Sequence, residues 1–387
     1  MKPFTFHNPV EVYFGEGQIK HLPDLIQRYG TKVLLVYGKS AIKRMGLYDT
    51  VLTMLAKNDI EVVELGGIDP NPRIESVREG GRLCKEHDID LVLAVGGGSV
   101  IDAAKGIASA ALYDGDPWDF YSYQAESTGA LPIGTILTLA ATGSEMNRGS
   151  VVTNFATKEK NGWGSAYTYP KFSILDPTYT FTVSKHQTGC GIVDSLTHIF
   201  EFYFSRDHAP LNDRIVEGIM KTILTDGPIA IEDPTNYDAR ANLMFASTLA
   251  LNGLSGFGKT WDGFNHTTEH VLSAFYDIAH ADGLAILAPH WMSYILSEDN
   301  VDVFERFAIH VFGVPKQTDP MATARQGIAS LRAFYKRIGM PTKLHHVGID
   351  DKEFDAIAAQ ATRHGGTVGR FVPLTQEDVK NILVQAK

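Results

Sequence analysis

Through its first half the chain alternates short apolar runs with helical stretches, and this rhythm leaves few folds open. KVLLVY at 32–37, EVVEL at 61–65 and LVLAV at 91–95 are strand-length runs of aliphatic and β-branched residues. Further strands are expected over 131–139 and 172–175, with helices over 40–57, 72–87 and 99–112 between them. Strands that alternate with helices build a mostly parallel sheet covered on both faces. VEVYF at 10–14 reads as a separate edge strand before the alternation begins.

After Thr182 the strand runs stop. Apolar-periodic segments follow near 188–204, 211–226, 237–254, 262–275, 282–296, 300–312, 320–338, 351–363 and 375–386. At 387 residues the chain exceeds what one hydrophobic core serves. The expectation is therefore α/β plus all-α: a dinucleotide-type α/β domain over 1–184 and a helical domain over 185–387.

A net charge of −10 argues against nucleic acid or an anionic membrane as the main partner. Two cysteines, Cys84 and Cys190, are too few for a disulfide framework or a thiolate metal cage. The opening MKPFTFHNPVEVYFG lacks the basic start and apolar run of a secretory signal. A cytoplasmic location is expected.

Gly96-Gly97-Gly98-Ser99 follows the strand LVLAV and opens a good helix. Ser99 and Asp102 have the spacing of a capping box. A glycine turn ahead of a helix N-terminus suits a pyrophosphate, although tight packing produces the same pattern. Thr138, Thr142 and Ser144 surround a glycine after the next strand, where they fit a loop over a dinucleotide or a capped helix start. At the end of the first parallel strand, an acid would accept the ribose 2′-hydroxyl of NAD. Here stand Gly38, Lys39 and Ser40, then Lys43 and Arg44. That set suits a 2′-phosphate, hence NADP(H).

In the second half, Asp194 and His198 lie four apart in GIVDSLTHIFEFYF, on one face of an apolar helix. An aspartate among Ile192, Val193, Leu196 and Ile199 is costly to bury unless something positive meets it. His266, His270, His280 and His290 then fall within 25 residues, in a chain with 14 histidines. Asp194, His198, His266 and His280 make a sulfur-free set for one divalent ion: Fe(II), Zn(II), Co(II) or Ni(II). A substrate needs one open position, so His270 is read as a neighbour and His290 as a packing residue. HTTEH at 266–270 also fits the H-x-x-E-H pattern of a zinc peptidase, with Glu269 as general base. That alternative leaves the glycine turn without a role.

Together the motifs resemble a known family. FGEGQIKHLPDLI at 14–26, GGIDPNP at 66–72, AVGGGSVIDAAK at 94–105 and TLAATGSE at 138–145 occur in the order of the iron-containing, or group III, alcohol dehydrogenases. ILDPTYT at 174–180, GIVDSLTHIFE at 191–201 and NYDARANLMFAST at 236–248 continue the series. The chain is similar in particular to the NADPH-dependent butanol dehydrogenase and aldehyde reductase branch. The resemblance implies a dehydroquinate-synthase-like fold with an N-terminal Rossmann-type parallel-sheet domain and a C-terminal helical domain. It implies the metal ligands Asp194, His198, His266 and His280, and an extra histidine, His270, beside them. It implies cofactor contacts from Gly38, Lys39, Ser40, Asn71, Gly97, Gly98, Ser99, Asp102, Thr138, Thr142 and Lys160. NAD-specific members hold aspartate at the place of Gly38. The segment HTTEHVLSAFYDIAH departs from the family, which often has glycine in the first turn and proline or histidine before the last ligand.

The expected reaction interconverts primary alcohols and aldehydes with NADP(H) and one Fe(II) or Zn(II). The partners are a small alcohol or aldehyde and a second copy of the chain in a homodimer. A metal- and NAD-dependent polyol-phosphate dehydrogenase on the same fold is the further alternative. It wants basic residues near the metal, and none lies close to Asp194 or His266 in sequence.

Overall fold

The computed structural model describes residues 1–363 and 366–387 in two compact units. One unit comprises His7–Val183 and Pro234–Thr248; the other comprises Met1–Phe6, Ser184–Asp233 and Leu249–Lys387. The division expected at 184/185 treats each domain as continuous, whereas residues 1–6 and 234–248 group with the opposite unit.

The first unit carries β1 (Glu11–Phe14), β2 (Lys32–Tyr37), β3 (Glu61–Leu65), β4 (Leu91–Gly96), β5 (Ile133–Leu137), β6 (Gly149–Asn154), β7 (Glu159–Gly164) and β8 (Phe172–Leu175). Between the strands run α1 (Leu22–Gln27), α2 (Ala41–Arg44), α3 (Leu47–Ala56), α4 (Ile74–Glu86), α5 (Gly98–Ala110) and α6 (Trp118–Tyr121). Six strands form an all-parallel sheet in the order β1-β8-β5-β4-β2-β3. Its two faces bury alternate residues, as a period of two requires. Leu34, Val36, Val92 and Ala94 pack with α4 and α5, while Val33, Leu35, Leu91 and Leu93 pack with α1 and α3. The opening strand is an edge, as read from sequence, but it pairs in register with β8 as part of the sheet.

Three local expectations change. The helix expected over 40–57 breaks at Gly46, which adopts a left-handed φ of 75°, into α2 and α3. Helix α5 begins one residue early, with Gly97 as N-cap and no side-chain cap, so the Ser99–Asp102 capping box does not form. An antiparallel hairpin, β6–β7, occupies 149–164, where no strand was expected.

The chain continues with α7 (Lys185–Tyr203), α8 (Pro210–Glu232), α9 (Tyr237–Leu251), α10 (Phe264–Tyr276), α11 (His280–Ile295), α12 (Val301–Phe312), α13 (Pro320–Arg337), α14 (Phe354–Ala361) and α15 (Gln376–Ala386). Ser184 caps α7 by accepting the Gln187 backbone N–H at 3.2 Å. Helix α7 is apolar nearly all round, and from Gly191 to Glu201 every residue is buried. A helix of that kind belongs in a core. Between α10 and α11, Asp277 adopts a left-handed φ of 50° and ends α10, so the chain turns before His280 opens α11. Among the described residues, no helix is long and apolar enough to cross a membrane.

Candidate metal centre and dinucleotide edge

The sequence separates Asp194 from His280 by 86 positions, yet the fold brings the four candidate ligands together within the helical unit. Asp194 Oδ1 lies 3.4 Å from His198 Nε2, 3.6 Å from His266 Nε2 and 3.8 Å from His280 Nε2. The His198 and His266 rings stack at 4.7 Å, and the His266 and His280 centroids lie 5.4 Å apart. His270 sits beside this group, its ring 5.4 Å from that of His280 and 6.3 Å from that of His266.

The donor set fits a cation. Asp194 Oδ1 and His266 Nε2 are both buried, and neither makes a hydrogen bond. A buried carboxylate oxygen and a buried ring nitrogen that face each other without a hydrogen bond are costly, and an ion between them would satisfy both. Burial alone would raise the Asp194 carboxyl; His198, His266 and His280 outweigh it and hold the group below the usual carboxylate range. Burial also pulls the His198 imidazole down to about 4, so it stays neutral with a lone pair to give. Burial acts in the same direction on His266, but Glu201 and Asp194 outweigh it and push that ring up to about 10. An ion that binds His266 must therefore displace a proton.

Two carboxylates behind the ligands orient the rings. His266 Nδ1 lies 3.1 Å from Glu201 Oε2, and Glu201 Oε1 accepts the His266 backbone N–H at 3.0 Å. Glu201 thereby places a negative charge at the N-terminus of α10, which has no side-chain cap of its own. His280 Nδ1 is bonded to Glu269 Oε2, and Ser273 Oγ donates to Glu269 Oε1. Carboxylate–imidazole pairs of this kind fix which ring nitrogen faces a metal. Glu201 went unremarked in the sequence. Its signal was present: a carboxylate seven residues after Asp194 and three after His198, on the same face of an apolar helix.

Glu269 also decides the peptidase alternative. A general base must reach a water, but Glu269 is 0% exposed and engaged by His280 and Ser273. His290 packs as expected, with Nδ1 donating to Ile286 O at 2.7 Å and Nε2 beside the Arg332 guanidinium at 3.1 Å. Of the three aromatics ahead of the ligands, Phe264 is buried against Trp291 and Phe257 stacks on Phe4 at 4.8 Å, whereas Trp261 is 40% exposed.

In the α/β unit the candidate dinucleotide residues gather at the carboxyl ends of β2, β4 and β5. The chain crosses from β3 over β2 to reach β4, so β2 and β4 flank a topological switch point, where open α/β sheets bind ligands. Tyr37 pairs with Val95, which places Gly38 beside Gly96, one residue before Gly97. Gly96 pairs with Leu137, and the Thr138 N–H donates to Gly96 O at 3.0 Å. Gly98 stands so close to Thr142 that a Cβ would meet its Oγ1 at 2.3 Å. The room at Gly98 is taken by the loop, which packs onto the uncapped N-terminus of α5. Asn71, at a left-handed φ of 54°, precedes Pro72, whose carbonyl accepts the Thr153 N–H at 2.8 Å. Thr153 pairs with Lys160 across the unexpected hairpin, so β6–β7 carries Lys160 to this edge.

Asp102 does other work in this arrangement. Its Oδ1 accepts from Ser144 Oγ at 2.5 Å and its Oδ2 from the Val151 N–H at 3.0 Å. One turn on, the fully buried Lys105 ammonium donates to Ser144 O, Ser144 Oγ and Gly149 O, each at 2.7 Å. Burial draws that ammonium down to about 8, against the charges of Asp102 and Glu145. Helix α5 thus pins the 142–151 segment with an acid and a base.

The cationic residues after β2 are all engaged. Lys39 Nζ pairs with Asp69 Oδ1 at 2.7 Å, Lys43 Nζ lies over the Tyr37 and Tyr48 rings, and Arg44 is bonded to Ser40 Oγ.

Comparison with known proteins gives the family. The profile described as iron-containing alcohol dehydrogenase matches residues 9–177, and the one described as the C-terminal part of that family matches residues 188–387. The chain is 48% identical over 386 residues to a probable NADH-dependent butanol dehydrogenase of Bacillus subtilis (strain 168), covering 99% of each chain. It is 38% identical over 371 residues to an NADPH-dependent aldehyde reductase of Escherichia coli (strain K12), covering 95% of each. The crystal structure of NADH-dependent butanol dehydrogenase A from Thermotoga maritima superposes with a TM-score of 0.96 at 41% identity, over 100% of this chain and 99% of that one. Two profiles that together span nearly the whole sequence, and relatives matched end to end, leave one conclusion: the chain belongs to the iron-containing alcohol dehydrogenase family.

Proposed function

We propose that this enzyme reduces aldehydes to primary alcohols, and runs the reverse reaction, with NADP(H) as coenzyme. The observation that carries the reading is the convergence of three imidazole Nε2 atoms, within 3.8 Å, on one buried Asp194 oxygen that has no hydrogen bond. Asp194, His198, His266 and His280 would hold the divalent ion, Fe(II) or Zn(II). Such an ion polarises a carbonyl oxygen, and a nicotinamide supplies or accepts the hydride. The chain's own work is to hold donors and move a proton. Glu269 bonds the Nδ1 of His280 and Glu201 faces the Nδ1 of His266 at 3.1 Å, which favours each Nε2 lone pair on the Asp194 side. His270, adjacent to His280, is proposed to relay the proton to or from the substrate oxygen.

The coenzyme contacts proposed are Gly38, Lys39 and Ser40 after β2, Asn71, and Gly97, Gly98 and Ser99 at the start of α5. Thr138, Thr142 and Lys160 complete the set, with Asp102 holding the 142–151 segment. Preference for the 2′-phosphate is supported by the absence of an acid at Gly38 and by Lys39, Lys43 and Arg44 close after it. A second reading, preference for NADH, has its own support. Asp69 neutralises Lys39, and the Bacillus subtilis relative is named NADH-dependent. A homodimer is proposed from the edge position of β1, whose outer side pairs with no described strand. A cytoplasmic location is proposed with it.

Kinetics with a short aldehyde and each coenzyme test the proposal. A Cβ at Gly38 would meet only ordinary contacts, 3.7 Å from Ile68 O and 3.8 Å from Val100 Cγ2, so Gly38→Asp should fold. The expected result is a higher kcat/KM with NADPH than with NADH in the parent, and a fall of more than about tenfold in that ratio in the variant. An unchanged ratio would defeat the specificity argument. Absence of aldehyde reduction with either coenzyme would defeat the reaction.

A further inference from the structure

Helix α7 carries four donors at intervals of four: His186, Cys190, Asp194 and His198. That spacing sets all four on one face. The last two belong to the cage described above. The first two meet Asp282, in the first turn of α11. His186 Nε2 lies 2.9 Å from Asp282 Oδ1, and Cys190 Sγ lies 3.8 Å from the same Nε2. One donor atom from each of the three side chains lies within 4.8 Å of the other two.

These distances suit shared coordination. With zinc–sulfur bonds of about 2.3 Å and zinc–nitrogen or zinc–oxygen bonds of about 2.0–2.2 Å, a tetrahedral ion sets neighbouring donors roughly 3.3–3.6 Å apart. The two measured edges straddle that range. In the metal-free protein His186 bonds to Asp282, and the Cys190 thiol meets the same ring at 3.8–3.9 Å. The His186 side chain is 51% exposed, so the fourth position opens to water, whereas the Asp282 side chain is 12% exposed and held in place.

We propose that His186, Cys190 and Asp282 form a second divalent-metal site, selective for sulfur-seeking ions such as Zn(II) and separate from the sulfur-free cage. Burial, with Asp282 and Asp194 adding to it, pushes the metal-free Cys190 thiol up to about 12. Binding therefore forms a metal–sulfur bond, breaks the S–H bond and releases one proton to solvent. The remaining cysteine, Cys84, is buried in the other unit and, among the described residues, belongs to no such donor cluster.

Titration of the purified holoenzyme with Co(II) tests the site, because a thiolate ligand gives cobalt a near-ultraviolet charge-transfer absorption that the cage cannot produce. The expected result is one equivalent of such absorption, displaced by Zn(II), absent in Cys190→Ser and unchanged in Cys84→Ser. His186→Ala and Asp282→Asn should each weaken Co(II) binding by more than about tenfold. No absorption in the parent, or absorption that persists in Cys190→Ser, would overturn the proposal. Loss in Cys190→Ser with undiminished binding in both other variants would also overturn it, since the cysteine would then bind alone.

Discussion

His290 shows how a single buried ring ties stability to pH. Its Nδ1 donates to the Ile286 carbonyl and its Nε2 meets the Arg332 guanidinium, an arrangement that fits only the neutral ring. Burial is the main cause that draws its pKa down to about 4 from the usual 6.5, and Arg332 adds to it. Between those values the unfolded chain binds a proton that the folded chain refuses, so stability rises with pH across that window. The contribution is complete above about pH 6.5 and falls by roughly 3 kcal/mol as pH drops towards 4. Denaturant melts from pH 4 to 7 should therefore be steeper in pH for the parent than for His290→Gln, and equal slopes would refute this assignment. At the same scale the convergence of Asp194 with three histidines was largely legible in the sequence, because an aspartate in an apolar helix and clustered histidines call for a cation. Glu201 was passed over despite its spacing from Asp194 and His198, since a carboxylate near an apolar helix end usually faces solvent. Only the fold shows that it reaches Nδ1 of His266 and the His266 backbone N–H together.

Among the elements, α10 and α11 matter most, for they carry three of the histidines near the site. Gly283 in α11 lets them approach: a Cβ there would fall 2.7 Å from Glu269 Cγ and 3.1 Å from Glu269 Oε1. Gly283→Ala must push Glu269 aside and release His280 from its partner. A helical alanine is otherwise favourable, so the variant should keep its helix content. Its metal affinity should fall by about 10–100-fold, the usual effect of losing an orienting partner, and Glu269→Gln should show a similar loss. Isothermal titration of metal-stripped protein checks this, and parental affinity in both variants would mean that Glu269 does not position His280. Helix periodicity located both elements to within two residues, but a pattern of apolar positions says nothing about which glycine faces a carboxylate. Hairpin β6–β7 escaped notice for a related reason. GSVVTN and EKNGWG alternate poorly and are joined by FATK, which lacks the Asn-Gly or Asp-Gly signal of a tight hairpin.

For the molecule as a whole, the change from strand–helix alternation to helices alone marked the two architectures correctly. It could not show that 1–6 and 234–248 pack away from their sequence neighbours. Helix α9 has an ordinary helical pattern, yet Phe245 meets Phe14 and Thr248 bonds to Glu145, both in the α/β unit. Such long-range partners are invisible to a pattern read along the chain. The proposed cage is the feature on which the proposed function turns, and His266→Ala in a Cys190→Ser background isolates it from the second site proposed above. Metal content after dialysis, measured beside aldehyde reduction, is the decisive experiment. The expected result is one tightly held ion per chain with turnover in the Cys190→Ser protein, and loss of both in the double variant. A double variant that keeps its ion and its full rate would show that Asp194, His198, His266 and His280 are not the catalytic cage.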